Sequence, residues 1–180
     1  MEKIDASKEY IQAIILVPTR ELALQTSAVL KELGKFVKVE SMVSTGGTSV
    51  REDIYRLYKT VHVIVCTPGR ILDLSSKEVA DLSKCEIIVM DEADKLLSVD
   101  FYPIVEKLIE FMPKNRQILM LSATFPAEVE SFKKKYLPTS KEINLMEELT
   151  LKGLTQYYAY VEEKQKVHCL NTLLVKVKYC

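Results

Sequence analysis

The chain has 180 residues, enough for one well-packed domain and a remainder of about 40 residues. Its composition, 48% apolar and 28% charged, is typical of an ordinary soluble globular protein. The 25 basic and 25 acidic residues balance, which excludes a global field that would attract nucleic acid or anionic membranes. Any nucleic-acid site must therefore be built locally.

Cysteine spacing and hydropathy exclude further classes of protein. The four cysteines lie far apart, without a C-x-x-C pair or a histidine cluster, and this pattern predicts free thiols in a reducing compartment. No apolar run approaches the roughly 18 residues of a membrane span, and the charged first residues are not a secretory signal. We expect a cytosolic or nuclear protein with no membrane contact and no disulfide or zinc site.

Apolar runs and helical patterns alternate along the chain. The runs that predict strands are AIILV (13–17), VESMVS (39–44), VHVIVC (61–66), CEIIVM (85–90), RQILMLS (116–122) and KEIN (141–144). A helical pattern follows each of the first five runs, and the first helix has a predicted buried face of Leu22, Thr26, Val29, Leu30 and Leu33. Because several runs are apolar at nearly every position, we predict an α/β fold, a parallel sheet with helices on both faces.

The alternation stops near residue 145. The acidic segment NLMEELTLKG predicts a linker over 145–154, TQYYAYV (155–161) a new strand, and KQKVHCLNTLLVKV a new helix. We therefore expect a partial first domain over 1–144 and an incomplete second domain over 155–180.

Three strand-to-helix turns carry residues suited to phosphate: PTREL (18–22), TGGT (45–48) and TPGR (67–70). Parallel strands end at one edge of a sheet, where helix N-termini expose unpaired N–H groups and a partial positive charge. The predicted helix N-caps are Thr19 in the first turn and Thr48 or Ser49 after the second.

The side chains of these turns point to the same chemistry. Glycines 46, 47 and 69 let the backbone approach a ligand closely, and Arg20 and Arg70 offer forked donors to phosphate. Such contacts follow a sugar-phosphate backbone without reading its sequence. TGGT alone favours an ordinary turn, but three such turns in order favour a phosphate site.

Three carboxylates, Asp91, Glu92 and Asp94, follow the buried run CEIIVM. A carboxylate at a strand end can hold Mg²⁺ through water, and its neighbour can orient or activate the attacking water in phosphoryl transfer. We assign the metal to Asp91 and the water to Glu92, and we expect Asp94 to contact Ser122 or Thr124. The alternative is a solvated helix start, because acidic residues favour a first helical turn.

The motifs PTREL, GG, TPGR, DEAD and SAT, in this order, resemble the first RecA-like domain of DEAD-box RNA helicases. The resemblance covers essentially the whole chain. It implies that residues 11–140 form the later part of a first RecA-like domain, and that 155–180 hold the first strand and helix of a second. It also implies an ATP-dependent RNA helicase that uses ATP and Mg²⁺ and binds single-stranded RNA.

The same resemblance assigns roles to residues. DEAD binds Mg-ATP through Asp91, Glu92 and Asp94 and hydrolyses it, with Asp91 and Glu92 as catalytic residues. SAT couples hydrolysis to strand separation, through contacts between Asp94 and the segment Ser122, Ala123 and Thr124. The implied RNA-binding residues are Pro18, Thr19, Arg20, Glu21, Gly46, Gly47, Thr67, Pro68, Gly69 and Arg70.

The spelling of INLMEELTLKG and TQYYAYVEEKQKVHCLNTL is similar to that of one subfamily, which represses translation and activates mRNA decapping. This resemblance implies mRNA as a partner, and decapping and translational-repressor proteins bound through the second domain. It implies a cytoplasmic location, in processing bodies or messenger-RNA granules.

The chain departs from the family pattern, most clearly in its phosphate loop. Its five glycines include no G-x-x-x-x-G-K-[ST] phosphate loop, and MEKIDASKEY resembles the helix that normally follows that loop. We expect a fragment truncated at its N-terminus, with unpaired edges on apolar strands and no ATPase activity of its own. Two alternatives stay open: a non-catalytic RNA-binding module with weak, salt-sensitive binding, and a partner-binding module.

Overall fold

The computed structural model describes residues 3–145, 155 and 157–176. Contacts divide the chain into two compact units, Met1–Ile143 and Asn144–Cys180. The predicted domains 1–144 and 155–180 stay a prediction, and residues 146–154 of the predicted linker lie outside the described residues.

The first unit is built on a five-stranded parallel sheet in the order β2-β3-β1-β4-β5. The strands are β1 (Ala13–Leu16), β2 (Ser41–Ser44), β3 (Val63–Cys66), β4 (Ile87–Asp91) and β5 (Gln117–Leu121). In the centre, Leu16 lies opposite Cys66 of β3 and Met90 of β4. Each strand lies within two residues of its predicted bounds, and the predicted fold class is confirmed.

Helices connect successive strands and keep them parallel. They are α1 (Arg20–Leu33), α2 (Val50–Leu57), α3 (Pro68–Ser76), α4 (Ala93–Leu96), α5 (Tyr102–Phe111) and α6 (Ala127–Tyr136). Thr19 caps α1, its Oγ1 accepting the N–H of Leu22 at 3.2 Å. Ser49, rather than Thr48, caps α2, its Oγ accepting the N–H of Glu52 at 3.4 Å.

Alternate strand residues pack against opposite layers of helices. The larger core contains the strand residues Ile14, Leu16 and Ile88, and α3, α4, α5 and α6 add buried residues to it. A smaller cluster, Val17, Ala23 and Val65, lies under α1. Helices therefore lie on both faces, as predicted, but they cover the two faces unequally.

The face beneath α1 is covered only in part, because α1 packs against β2 and β3. Toward β5 this face opens, and Leu119 and Leu121 are 46% and 49% exposed. Within the predicted buried face of α1, Leu22 and Leu30 pack on the small cluster. Val29 and Leu33 do not, and they are exposed. The prediction for this helix face is therefore half right.

Two predicted strands are wrong in the described part of the chain. KEIN (141–144) is irregular and Ile143 is 78% exposed. In TQYYAYV (155–161), Thr155 and residues 157–161 are not strand either, and Tyr157 is 90% exposed. An extended segment becomes a strand only when its backbone pairs with a neighbour, and none of the pairings in the described sheet involves these residues.

The start of the chain also differs from its resemblance to a helix. Residues 3–10 form turns, because Asp5 Oδ1 accepts hydrogen bonds from the Oγ (2.7 Å) and backbone N–H (3.0 Å) of Ser7. These hydrogen bonds also lower the pKa of the Asp5 carboxyl. In the second unit the predicted helix is confirmed: a 3₁₀ turn (Glu163–Gln165) leads into α7 (Lys166–Lys176).

The prediction of free cysteines is confirmed for the three described thiols, and Cys180 lies outside the described residues. Cys66, Cys85 and Cys169 are free, and burial raises the pKa of Cys85 to about 12, so that its thiol stays protonated. Across residues 3–145 and 157–176, no helix has both the length and the apolar character needed to cross a bilayer.

Candidate functional site

Three neighbouring strands end in the turns that carry the predicted phosphate contacts. β2, β3 and β1 are adjacent in the sheet and lead through TGGT, TPGR and PTREL into α2, α3 and α1. Because the strands are parallel, the three turns lie side by side at one edge of the sheet.

The PTREL turn brings a cation to the TGGT turn, although β3 lies between the strands that precede them. Arg20 and Glu21, at the start of α1, are exposed, and Pro18 before them is half-buried. Nη1 of Arg20 lies 3.3 Å from the position that a Cβ on Gly47 would occupy. Gly47 also has a φ of +78°, a left-handed conformation that glycine adopts without strain. A side chain at Gly47 would therefore disturb both the turn and its contact with Arg20.

The TGGT and TPGR turns are joined by a hydrogen bond. Thr67 is the N-cap of α3, yet its hydroxyl makes no capping bond within that helix. Its Oγ1 instead accepts the backbone N–H of Gly46 at 3.3 Å. Apart from the adjacent backbone, no atom of the described residues lies within 4 Å of a Cβ position on Gly46 or Gly69, so both glycines face open space. Pro68 fills the first helical position, where a missing N–H costs no hydrogen bond.

Arg70 differs from its predicted role. Its side chain is buried, and its guanidinium binds Oδ2 of Asp53 and the backbone carbonyl of Thr48, each at 2.6 Å. The guanidinium therefore stabilises the TGGT turn from the protein interior, and these N–H donors do not point to the exposed edge of the sheet.

Asp53 and Ser44, which belong to the same hydrogen-bonded group, were not predicted from the sequence as functional residues. Asp53 lies in the first turn of α2, where an acidic residue is routine. A signal was present, because Val50, Asp53, Ile54 and Leu57 follow the i, i+3, i+4, i+7 spacing of a buried helix face. A carboxylate on such a face needs a partner in the interior.

The DEAD carboxylates occupy the end of β4 and the start of α4. Asp91 is the last residue of β4, and its Oδ1 accepts the backbone N–H of Glu92 at 3.0 Å. Glu92 has a φ of 54°, which is uncommon for a residue with a side chain. Its carboxylate forms a 2.8 Å ion pair with Lys95 at the surface.

Asp94 joins α4 to the SAT segment after β5. Its Oδ2 accepts the hydroxyl of Thr124 at 2.6 Å, and its backbone N–H donates to Oγ of Ser122 at 3.3 Å. The predicted contact is therefore confirmed. Ala123, between these two residues, is exposed. Burial raises the pKa of the Asp94 carboxyl, but hydrogen bonds from Thr124 and Ser122 outweigh it and leave this pKa below its ordinary value.

The donor set fits a magnesium ion better than a tightly caged metal. The described residues contain no group of three or more His, Cys, Asp or Glu side chains placed to hold an ion. Asp91 alone, half-buried at the end of β4, could hold Mg²⁺. That ion commonly binds through one or two carboxylates and keeps water and substrate phosphates as its other ligands.

The chain is similar along nearly its whole length to known helicases. Residues 1–132 match the family model described as DEAD/DEAH box helicase. The probable ATP-dependent RNA helicase ddx6 of Dictyostelium discoideum is 65% identical over 99% of this chain and 42% of that protein. The putative ATP-dependent RNA helicase ste13 of Schizosaccharomyces pombe is 62% identical over 99% of this chain and 37% of that protein. The chain thus spans less than half the length of these relatives.

Solved structures give the same result. A DEAD box protein from Methanococcus jannaschii superposes with a TM-score of 0.77 at 32% identity, over 96% of this chain and 46% of that one. Saccharomyces cerevisiae dbp5, bound to nup159, gle1, IP6 and ADP, superposes with a TM-score of 0.68 at 34% identity, over 77% of this chain and 36% of that one.

Proposed function

The chain belongs to the DEAD/DEAH-box helicase family, and from this premise we propose that it is part of an ATP-dependent RNA helicase. The whole helicase binds the RNA backbone and uses ATP hydrolysis to clamp or remodel messenger RNA–protein complexes. The observation that carries the proposal is the meeting of PTREL, TGGT and TPGR at one edge, through the contact of Arg20 with Gly47 and the hydrogen bond from Gly46 to Thr67.

The RNA contacts are backbone contacts in this proposal. Gly46 and Gly69 offer open main chain, and Arg20 supplies a positive charge beside them. Pro18, Thr19 and Glu21 shape the PTREL turn and Thr67 and Pro68 the TPGR turn, and Arg70 supports the TGGT turn from the interior. Because none of these groups reads a base edge, binding would be independent of sequence.

In the same proposal, the carboxylates of the DEAD segment act in nucleotide binding and hydrolysis. Asp91 would hold Mg²⁺, which supplies neutralisation of phosphate charge when it is bound with ATP. Glu92 accepts a hydrogen bond from the attacking water and orients it. The ADP bound to dbp5, which shares this fold, supports a nucleotide as the ligand. Asp94, through Ser122 and Thr124, would carry a change at the DEAD segment to β5.

Partners and location follow from the subfamily resemblance. The relatives named ddx6 and ste13, at 65% and 62% identity, are described as ATP-dependent RNA helicases. The subfamily resemblance of the sequence adds a role on messenger RNA in translational repression and decay. In this role the parent protein binds decapping and repressor proteins through its second domain and works in the cytoplasm, in processing bodies or messenger-RNA granules.

For the 180 residues alone, a second candidate is a non-catalytic RNA-binding module. The absence of a G-x-x-x-x-G-K-[ST] match among these residues favours it, because that loop cradles the β- and γ-phosphates. We therefore propose that the 180-residue chain binds RNA but does not hydrolyse ATP by itself.

RNA binding can be tested by titrating labelled single-stranded RNA at several salt concentrations. Arg20→Ala should weaken binding and reduce the slope of log K against log salt by about one, because one phosphate contact is lost. Lys31→Ala is the control, since it removes an equal charge from the last turn of the same helix. Equal effects of the two variants, or no binding by the wild-type chain, would contradict the proposed grip.

ATP turnover is tested with the wild-type chain and Glu92→Gln, with and without saturating RNA. The substitution removes the charge but keeps the side-chain size, and it loses only an exposed ion pair with Lys95, so stability should change little. We expect the wild-type chain to hydrolyse ATP no faster than the Glu92→Gln variant. RNA-dependent turnover that the variant loses would show that the chain completes an ATP site.

A further inference from the structure

A buried charge cluster lies behind the RNA-facing turns. Asp53 of α2 is 3% exposed and Arg70 of α3 is 8% exposed. Oδ2 of Asp53 lies 2.6 Å from Nη1 of Arg70 and accepts the hydroxyl of Ser44 at 2.8 Å. Nη2 of Arg70 donates to the backbone carbonyl of Thr48 at 2.6 Å.

The cluster joins one continuous stretch of the chain, from Ser44 to Asp53, to the start of α3. Ser44 ends β2, Thr48 belongs to TGGT, Asp53 lies in α2, and Arg70 lies in the first turn of α3. Burying an unpaired charge is costly, so Asp53 and Arg70 hold each other in place. Nη2 of Arg70 then fixes the backbone of the TGGT turn through the carbonyl of Thr48.

Neither charged group can touch RNA, because both are enclosed by protein. They affect the protein surface through the backbone of the TGGT and TPGR turns. The carbonyl of Thr48 is held from inside, while Gly46, two residues earlier, donates to Thr67 at the start of α3. The TGGT turn is thus attached to α3 at two points, one buried and one at the edge.

We infer that Asp53 is a positioning residue for RNA binding, which it controls through Arg70 and the TGGT turn. The inference rests on the proposed function, and it assigns a role to a residue outside the family motifs quoted above. The cluster holds Gly46 and Gly69 in the arrangement that a single RNA strand requires, so that binding costs little reorganisation. Without it the motifs remain present but are no longer aligned.

The decisive variant replaces the whole cluster by apolar side chains: Ser44→Ala, Asp53→Leu and Arg70→Met. Replacing a buried ion pair in this way is often neutral or stabilising, so the unfolding midpoint in denaturant should not fall. We expect RNA affinity to drop about tenfold all the same, because the carbonyl of Thr48 loses its anchor. Amide hydrogen exchange at Gly46 and Gly47 should become faster.

Asp73→Asn is the matched control, since it breaks the exposed 2.8 Å pair with Lys77 in the same helix α3. It should change neither RNA affinity nor exchange in TGGT. Wild-type affinity and exchange in the triple variant would overturn the inference. If the wild-type chain itself fails to bind labelled oligouridylate, the proposed function fails, while exchange at Gly46 still decides whether the cluster positions the turn.

Discussion

Two glutamates, Glu78 and Glu92, have positive φ angles, and they differ in what explains them. At Glu78 the cause is the end of α3. The N–H of Glu78 bonds the carbonyl of Ser75, and the N–H of Val79 bonds that of Leu74, which is the Schellman arrangement. Glu92 is the N-cap of α4, a position that is ordinarily extended, so the helix start does not account for its left-handed φ. Its left-handed backbone, with a typical cost of about 1–3 kcal/mol, lies at the carboxylate assigned to the attacking water.

The contact between Asp94 and Thr124 gives a pH prediction. Because the folded state lowers the pKa of Asp94, the carboxylate stabilises the fold fully above its ordinary value of 3.8. That contribution is lost as the pH falls through the lowered pKa. Thr124→Val removes the hydroxyl donor, so an NMR titration should show the pKa of Asp94 rising toward its ordinary value.

Asp81 serves as the internal control in that titration. Hydrogen bonds from Ser83 lower its pKa, and they do not involve Thr124. The pKa of Asp81 should be equal in the wild type and the variant. An unchanged pKa of Asp94 would mean that burial and the remaining hydrogen bonds set its value.

At the scale of elements, α6 shows how one buried ring anchors a helix in the larger core. Phe132 is fully buried and contacts the rings of Tyr102 and Tyr136, at centroid distances of 6.0 and 4.6 Å. Phe132→Ala should reduce the free energy of unfolding by about 3–5 kcal/mol, because it leaves a cavity in the core. Chemical denaturation measures the change.

Phe36→Ala provides the comparison with the same chemical change at the surface. Phe36 is 93% exposed, so its truncation should change the free energy of unfolding by no more than about 0.5 kcal/mol. Similar losses in both variants would indicate that α6 is not packed as described.

The elements also show why the sequence predicts some features and not others. Runs such as VHVIVC predict strands, because a strand that is buried on both faces has apolar residues at nearly every position. KEIN, with Ile143 as its one apolar residue, lacks this signal, and strand pairing also depends on a neighbour that local sequence does not reveal. Asp53 was overlooked for a related reason: its partners Ser44 and Arg70 are 9 and 17 residues away, and only the fold brings them together.

At the scale of the whole molecule, the sheet ends in an apolar edge. β5 is a terminal strand of the described sheet, and Leu119 and Leu121 are half exposed on the face that α1 does not cover. The formal net charge of zero at pH 7 provides no long-range repulsion between copies. Unpaired strand edges with apolar side chains favour association.

We therefore expect the wild-type chain to associate as its concentration rises, and Leu119→Lys with Leu121→Lys to reduce this association. Sedimentation velocity over a concentration series measures it. Leu24→Lys is the control, because Leu24 is 55% exposed beside β2 at the other edge of the sheet. Association that persists unchanged in the double variant would place the contact elsewhere.

The strand order also sets a minimum length for the ligand. Neighbouring strands lie about 4.8 Å apart, so the turns after β2 and β1, with β3 between them, are separated by about 10 Å. One phosphate group is too small to contact the main chain of both turns, whereas consecutive units of a polymer can. In the proposed function, the spacing of the strands therefore favours a polymer over an isolated phosphate, independently of its bases.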